Sequence, residues 1–289
     1  METKTDEWKG LFCQSWAIAL TYAAKAGYKE ARLNLDKPKN ERVRGEIAFT
    51  NGFMSFINGS DDVKEIDSKY QEVIKGLYAS KTHDLEVDTG ADVVIQWGPR
   101  GEYTIFLQIK NLYQDYARYR DVLRKLASKK KLEELEAVDH DFAVCTEGFI
   151  DIIYEWTKTG QVQAVAMQNM VKRETEKLMA EHPDAKPGTC IAGYLIFDIH
   201  GYTRDFETAW AIPLSKFTEV LKVEKLTNEG MKSNKGFTGQ HLKEILASKT
   251  SIQVEMVNWV KQMPGLEGCF TLVEAGALYS ELLEELKEE

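Results

Sequence analysis

Along the N-terminal part of the chain, apolar positions recur at helical spacing. Trp8, Leu11, Phe12, Trp16, Ala19, Leu20 and Ala23 predict a helix over 7–27, with Gly27 as its stop. Residues 28–42 are polar and contain Asp36-Lys37-Pro38, a loop signal. A second helix is predicted over 43–57, ended by Asn58-Gly59-Ser60-Asp61-Asp62, which also caps a third. The third helix is predicted over 63–79, with Val63, Ile66, Tyr70, Val73, Ile74, Leu77 and Tyr78 at helical spacing.

The period then shortens to that of strands. Asp84-Leu85-Glu86-Val87-Asp88 alternates, and Thr89-Gly90 turns the chain. Two apolar runs follow, over 91–97 and 103–110, separated by the turn signal Gly98-Pro99-Arg100-Gly101. They predict a hairpin. A long helix is predicted over 112–137 and a short buried strand over Asp141–Thr146. Beyond these lie a helical stretch over 149–181, a strand over 190–199 and a further apolar run over 209–214. A helix from Ser215, a basic Gly-rich loop over 232–239, a helix from Thr238 and a last helix from about 270 complete the pattern.

Helices and strands mixed in this order predict an α/β fold, with a mixed central sheet flanked by helices. The expected organisation is one domain over 1–289, with a core at about 63–147 and helical additions at about 1–62 and 148–289.

Composition narrows the class. Apolar residues at 43% and charged residues at 29% describe an ordinary globular protein. No run approaches the roughly 18 apolar residues of a membrane span. Cys13, Cys145, Cys190 and Cys269 form no Cys-x-x-Cys, so reduced, buried thiols are expected. The acidic Met-Glu-Thr-Lys-Thr-Asp-Glu-Trp start lacks the apolar stretch of a signal peptide, and a cytoplasmic protein is expected. The net charge of −9 argues against a protein that coats nucleic acid non-specifically. It leaves room for an enzyme with a local basic cleft.

The candidate chemistry sits on the hairpin. Asp92 opens the first strand, and Gln108-Ile109-Lys110 closes the second. Gln108 and Lys110 share one strand face, because the side-chain period is two. Phosphodiester hydrolysis needs a nucleophilic water and neutralisation of developing charge. Asp92 offers a hard anionic oxygen to Mg²⁺, or to Mn²⁺, and Gln108 offers a neutral amide oxygen to the same ion. Lys110 would stand beside the water and the scissile phosphate. One carboxylate makes a poor Mg²⁺ site, so a second acid is expected: Glu72 first, then Glu46, then Asp88. Other acid-x-Lys matches, such as Glu2-Thr3-Lys4 and Asp67-Ser68-Lys69, lie in polar or helix-like surroundings. The plain alternative is an edge hairpin whose polar residues face solvent.

A basic helix follows directly. Arg118, Arg120, Arg124, Lys125 and Lys129 to Lys131 cluster there, interleaved with Tyr113, Tyr116 and Tyr119. These cations would track a phosphate backbone. The bland reading is a surface helix balanced by Glu133, Glu134 and Glu136, with the tyrosines in the core. Arg42 and Arg44, and Lys232, Lys235 and His241 around Gly236-Phe237-Thr238-Gly239, are further candidate phosphate contacts. Thr238 as a simple helix N-cap is the competing account. There is no Walker loop, nucleophile elbow, dinucleotide fingerprint or His-x-x-x-His pair.

The order helix, strand, Asp-bearing strand, Gln-x-Lys strand, helix, strand over roughly 65–147 resembles the PD-(D/E)xK nuclease superfamily. The chain departs from that pattern at two places: Gly90-Ala91 replaces the proline, and Gln108 replaces the acid of Glu-x-Lys. The resemblance implies a metal-dependent DNA endonuclease of restriction-enzyme type. Cutting both strands of a duplex then implies a homodimer acting on double-stranded DNA. Two other functions compete: a catalytically silent binding or assembly module of the same fold, and an acidic protein that inhibits a nucleic-acid-binding partner.

Overall fold

The computed structural model describes residues 2–61, 64, 78–81, 91–97, 103–111, 162–184, 188–197, 210–232, 244, 250–251, 258–259 and 262–263. It is a mixed α/β structure. Helix α1 spans Glu2–Asp36 and α2 spans Gly45–Gly59. Strands β1 (Tyr78–Lys81), β2 (Val93–Trp97) and β3 (Tyr103–Asn111) follow. Then come α3 (Gln163–Glu181), β4 (Cys190–Phe197), β5 (Trp210–Pro213), α4 (Ser215–Leu221), α5 (Asn228–Lys232) and β6 (Thr250–Ser251).

Helix α1 does not stop at Gly27 as the sequence predicts. The glycine serves a crossing instead. A Cβ there would stand 2.7 Å from the Phe49 carbonyl oxygen on α2, and one on Gly52 would stand 2.7 Å from the carbonyl oxygen of Ala26. Buried Ala23, Ala24 and Ala31 on α1 and Ala48 on α2 continue this small-residue seam. The helix ends at Asp36, two residues before Pro38, where the residue before a proline disfavours helix. Gly52→Val is expected to wedge the two helices apart and destabilise the fold by about 1–3 kcal/mol, as overpacking does. A urea melt checks this, and an unchanged midpoint would refute the close-packed seam.

The described strands form one sheet in the order β1-β2-β3-β4-β5-β6. The predicted hairpin is present: β2 and β3 pair antiparallel, with Val93 opposite Leu107 and Trp97 opposite Tyr103. Tyr78 lies in β1 opposite Gln96, where the sequence predicts the end of the third helix. Cross-strand pairing there overrides a helical apolar period. The sheet is mixed because β3 and β4 run parallel, with Gln108 beside Tyr194 and Lys110 beside Ile196. A parallel pair needs a long crossover, and α3 lies within it. Strands β4, β5 and β6 therefore belong to this same sheet, although they come from the region expected as a helical addition. The expected strands at 84–88 and 141–146, the basic helix at 112–137, residues 65–77 of the third helix and the last helix lie outside the described residues.

The two sheet faces differ. Val93, Ile95, Trp97, Ile105, Leu107, Ile109, Leu195 and Phe197 form a buried cluster with α1 and α2. Phe49 stacks on Phe197 at 4.5 Å between ring centroids. The opposite face carries Thr104, Phe106, Gln108 and Lys110 on β3, two residues apart as the pleat requires. Helix α3 packs against β4, which carries Cys190 beside Thr104 of β3. Cys190 is free and buried, as the sequence leads one to expect, and burial pushes its thiol above the ordinary pKa.

Candidate functional site

The site forms where β2 begins and β3 ends. Asp92 stands just before β2, and its backbone N–H donates to the Leu107 carbonyl at 2.8 Å. Its Oδ2 accepts the Ile109 backbone N–H at 2.7 Å and the Gln108 Nε2 at 2.6 Å. The carboxylate thus continues the strand ladder beyond the last residue of β2, as short polar side chains do at element ends. Two donors hold one oxygen, so the carboxylate has a defined orientation.

Gln108 is 1% exposed and Lys110 is 3% exposed. Strand β3 lies between β2 and β4. An edge hairpin with solvent-facing polar residues is therefore not what the chain forms. The Gln108 Nε2 is satisfied by Asp92, yet its Oε1 is buried with no hydrogen-bond partner. A buried acceptor without a donor costs about 1–3 kcal/mol, so its presence calls for an explanation. Lys110 follows on the same strand face. A buried ammonium is tolerated only among compensating groups, and its field is stronger there than in water.

Glu46 reaches the same strand end from α2. It sits in the first turn of that helix, and its Oε1 accepts the Asn111 backbone N–H at 3.2 Å. Of the three acids considered as a second ligand, it is the one placed against β3; Glu72 and Asp88 lie outside the described residues. Arg118, Arg120, Arg124, Lys125, Lys235 and His241 also lie outside them. Arg42 and Arg44 are exposed in the α1–α2 connection, and Arg42 Nε donates to the Lys37 carbonyl at 2.7 Å.

Two residues escaped the sequence reading. Asn111 is buried and anchors Glu46 through its backbone. Its signal was adjacency: it extends a polar strand end that already holds Gln108 and Lys110. Gln163 opens α3, buried, with an unpartnered Oε1. No sequence signal marks it, because a helix-opening glutamine is ordinarily solvated.

The donor set is all oxygen. Asp92 offers a carboxylate and Gln108 an amide oxygen, which suits Mg²⁺ or Mn²⁺ rather than a soft metal, while Glu46 is shown against the Asn111 backbone at the end of the same strand. Among the described residues no three His, Cys, Asp or Glu side chains gather to hold a metal. An ion here would keep several waters, as Mg²⁺ commonly does. The orphaned Gln108 Oε1 is the atom that fits this role best.

Comparison of the chain with protein families, curated proteins and solved structures finds no match. Among the described residues no helix is long and apolar enough to cross a membrane.

Proposed function

We propose that the chain is a divalent-metal-dependent DNA endonuclease resembling the PD-(D/E)xK type, working in the cytoplasm as a homodimer on double-stranded DNA. The observation that carries this reading is the hydrogen-bonded Asp92–Gln108 pair, with Gln108 buried and Lys110 next on the same strand face. The mixed sheet, with β1, β2 and β3 antiparallel and β4 parallel to β3, is compatible with such a fold; the helices and strands expected on either side of the hairpin over 65–147 lie outside the described residues, and fold alone never specifies function.

In this reading Asp92 and Gln108 Oε1 hold the cation, with Glu46 as the second acid. A divalent cation there would supply Lewis acidity and charge neutralisation at a phosphate. Asp92 is pre-aimed by its two hydrogen bonds. Lys110 presents its ammonium to the negative charge that builds on the phosphate oxygens, in a site largely closed to water.

The catalytically silent module has one observation in its favour: Gln108 Nε2 donates to Asp92 Oδ2, an oxygen that a cation would need. Plasmid and short duplex DNA incubated with Mg²⁺, Mn²⁺ or EDTA separate the two. Metal-dependent fragments are expected. Retained DNA binding without cleavage would move the assignment to the silent module, and loss of both would end the nucleic-acid reading. Glu46→Gln keeps an acceptor for the Asn111 N–H, so the fold should persist. Its cleavage rate is expected to fall about 10- to 100-fold, the effect of losing one supporting group at a metal site. An unchanged rate would exclude Glu46 from the centre.

A further inference from the structure

We propose that the Gln108 side-chain amide is a two-position latch: its nitrogen holds Asp92 when no divalent cation is bound, and its oxygen turns toward the Asp92 side when one is. This rests on the metal-centre reading above.

The argument begins with the pairing of satisfied and unsatisfied atoms on one amide. Nε2 donates to Asp92 Oδ2 at 2.6 Å, a short, charge-assisted bond. Oε1 of the same group is buried without a partner. An amide presents nearly the same shape after a half-turn about its last side-chain torsion. The two settings therefore need the same cavity and differ only in which atom faces the carboxylate. In the first setting a donor faces an anion. In the second an acceptor faces that anion, which is repulsive unless positive charge lies between them. A divalent cation is the chemistry that reverses the preference.

The backbone supplies a fixed reference. Ile109 N–H donates to the same Oδ2 at 2.7 Å, and it cannot turn. Asp92 therefore stays anchored while Gln108 changes its bond. This gives a physical role to glutamine where the resembling family carries an acid. A carboxylate at position 108 would set two negative charges at the 2.6 Å now spanned by a hydrogen bond. Such a site would be disrupted whenever the cation left. Glutamine can instead bond Asp92 through its nitrogen, at the expense of weaker cation binding.

The test reads the resting and loaded states of the full-length protein directly. The Gln108 side-chain amide resonances are identified by their loss in Gln108→Met, and the protein is titrated with Mg²⁺. The hydrogen-bonded proton of that amide should lose its downfield shift, while the Ile109 backbone amide moves but stays protected from exchange. Ile109 shifting with the Gln108 amide unmoved would overturn the latch and leave the metal centre standing. Neither resonance moving with Mg²⁺ or Mn²⁺ would remove both. Gln108→Glu gives a second readout. Its melting temperature in EDTA should lie well below that of the native protein, and Mg²⁺ should raise it by about 5 °C or more, against a small rise for the native protein. Equal responses of the two proteins would also overturn the latch. Should Gln108→Glu fail to fold, the resonance titration decides alone.

Discussion

Lys110→Met is expected to lower metal-dependent DNA cleavage by about 10²–10³-fold, the range found when one preorganised charge-stabilising group is removed. Methionine keeps the length and apolar stem of lysine, so the wall of β3 remains filled. What is lost is the ammonium. Because Lys110 is 3% exposed, no bulk water or surface lysine stands ready to replace it. Its field acts in a low-dielectric strand interior, where a unit charge counts for several times its effect in water. Cleavage rate and thermal melt should be measured on the same preparation. A slow enzyme with a cooperative melt supports the assigned role. A fast one would mean that the buried lysine has only a packing function.

The second large effect falls on stability. Asp92→Ala removes the single oxygen that accepts both Ile109 N–H and Gln108 Nε2. Two buried donors are then left without a partner, each costing about 1–3 kcal/mol. A total of about 2–5 kcal/mol is expected, read as a fall in melting temperature of roughly 5–15 °C. Asp92→Asn should cost much less, about 1 kcal/mol or below. Its side-chain oxygen still accepts the Ile109 N–H, and the unpartnered Gln108 Oε1 can accept from its new amide. Both variants lose the anionic oxygen, so both should lose cleavage alike. Equal melting temperatures for the two would show that these hydrogen bonds carry little of the strand pairing.

The same two substitutions separate structure from chemistry at this site. A carboxylate that merely completed a strand end would be replaceable by asparagine in every assay. A carboxylate needed for a cation would be replaceable in the melt and irreplaceable in the reaction. The burial of Gln108 and Ile109 makes this division measurable, because hydrogen bonds in water contribute little net free energy and those buried beside a charge contribute more.

Several elements were legible from the sequence alone. The hairpin of β2 and β3 follows from two apolar runs around Gly98-Pro99-Arg100-Gly101. Its face assignment follows from the two-residue period, which puts Gln108 and Lys110 together without any knowledge of the rest of the fold. Helix α2 and strands β4 and β5 lie within a few residues of their predicted places. Local patterning carries this information because each element must hide its own apolar atoms.

Other features depend on what lies across the fold. Gly27 reads as a helix stop, yet only the proximity of Phe49 shows why a glycine stands there. The parallel pairing of β3 with Cys190–Phe197 joins segments that no local period connects. Glu46 meets Asn111 across 65 residues of chain. The bond between Asp92 and Gln108 and the orphaned amide oxygen beside it arise from register and burial. The sequence by itself determined which residue types share a strand face, through the pleat. The tertiary structure alone decided which of them are sealed from water and what they touch, because register and helix packing set those distances.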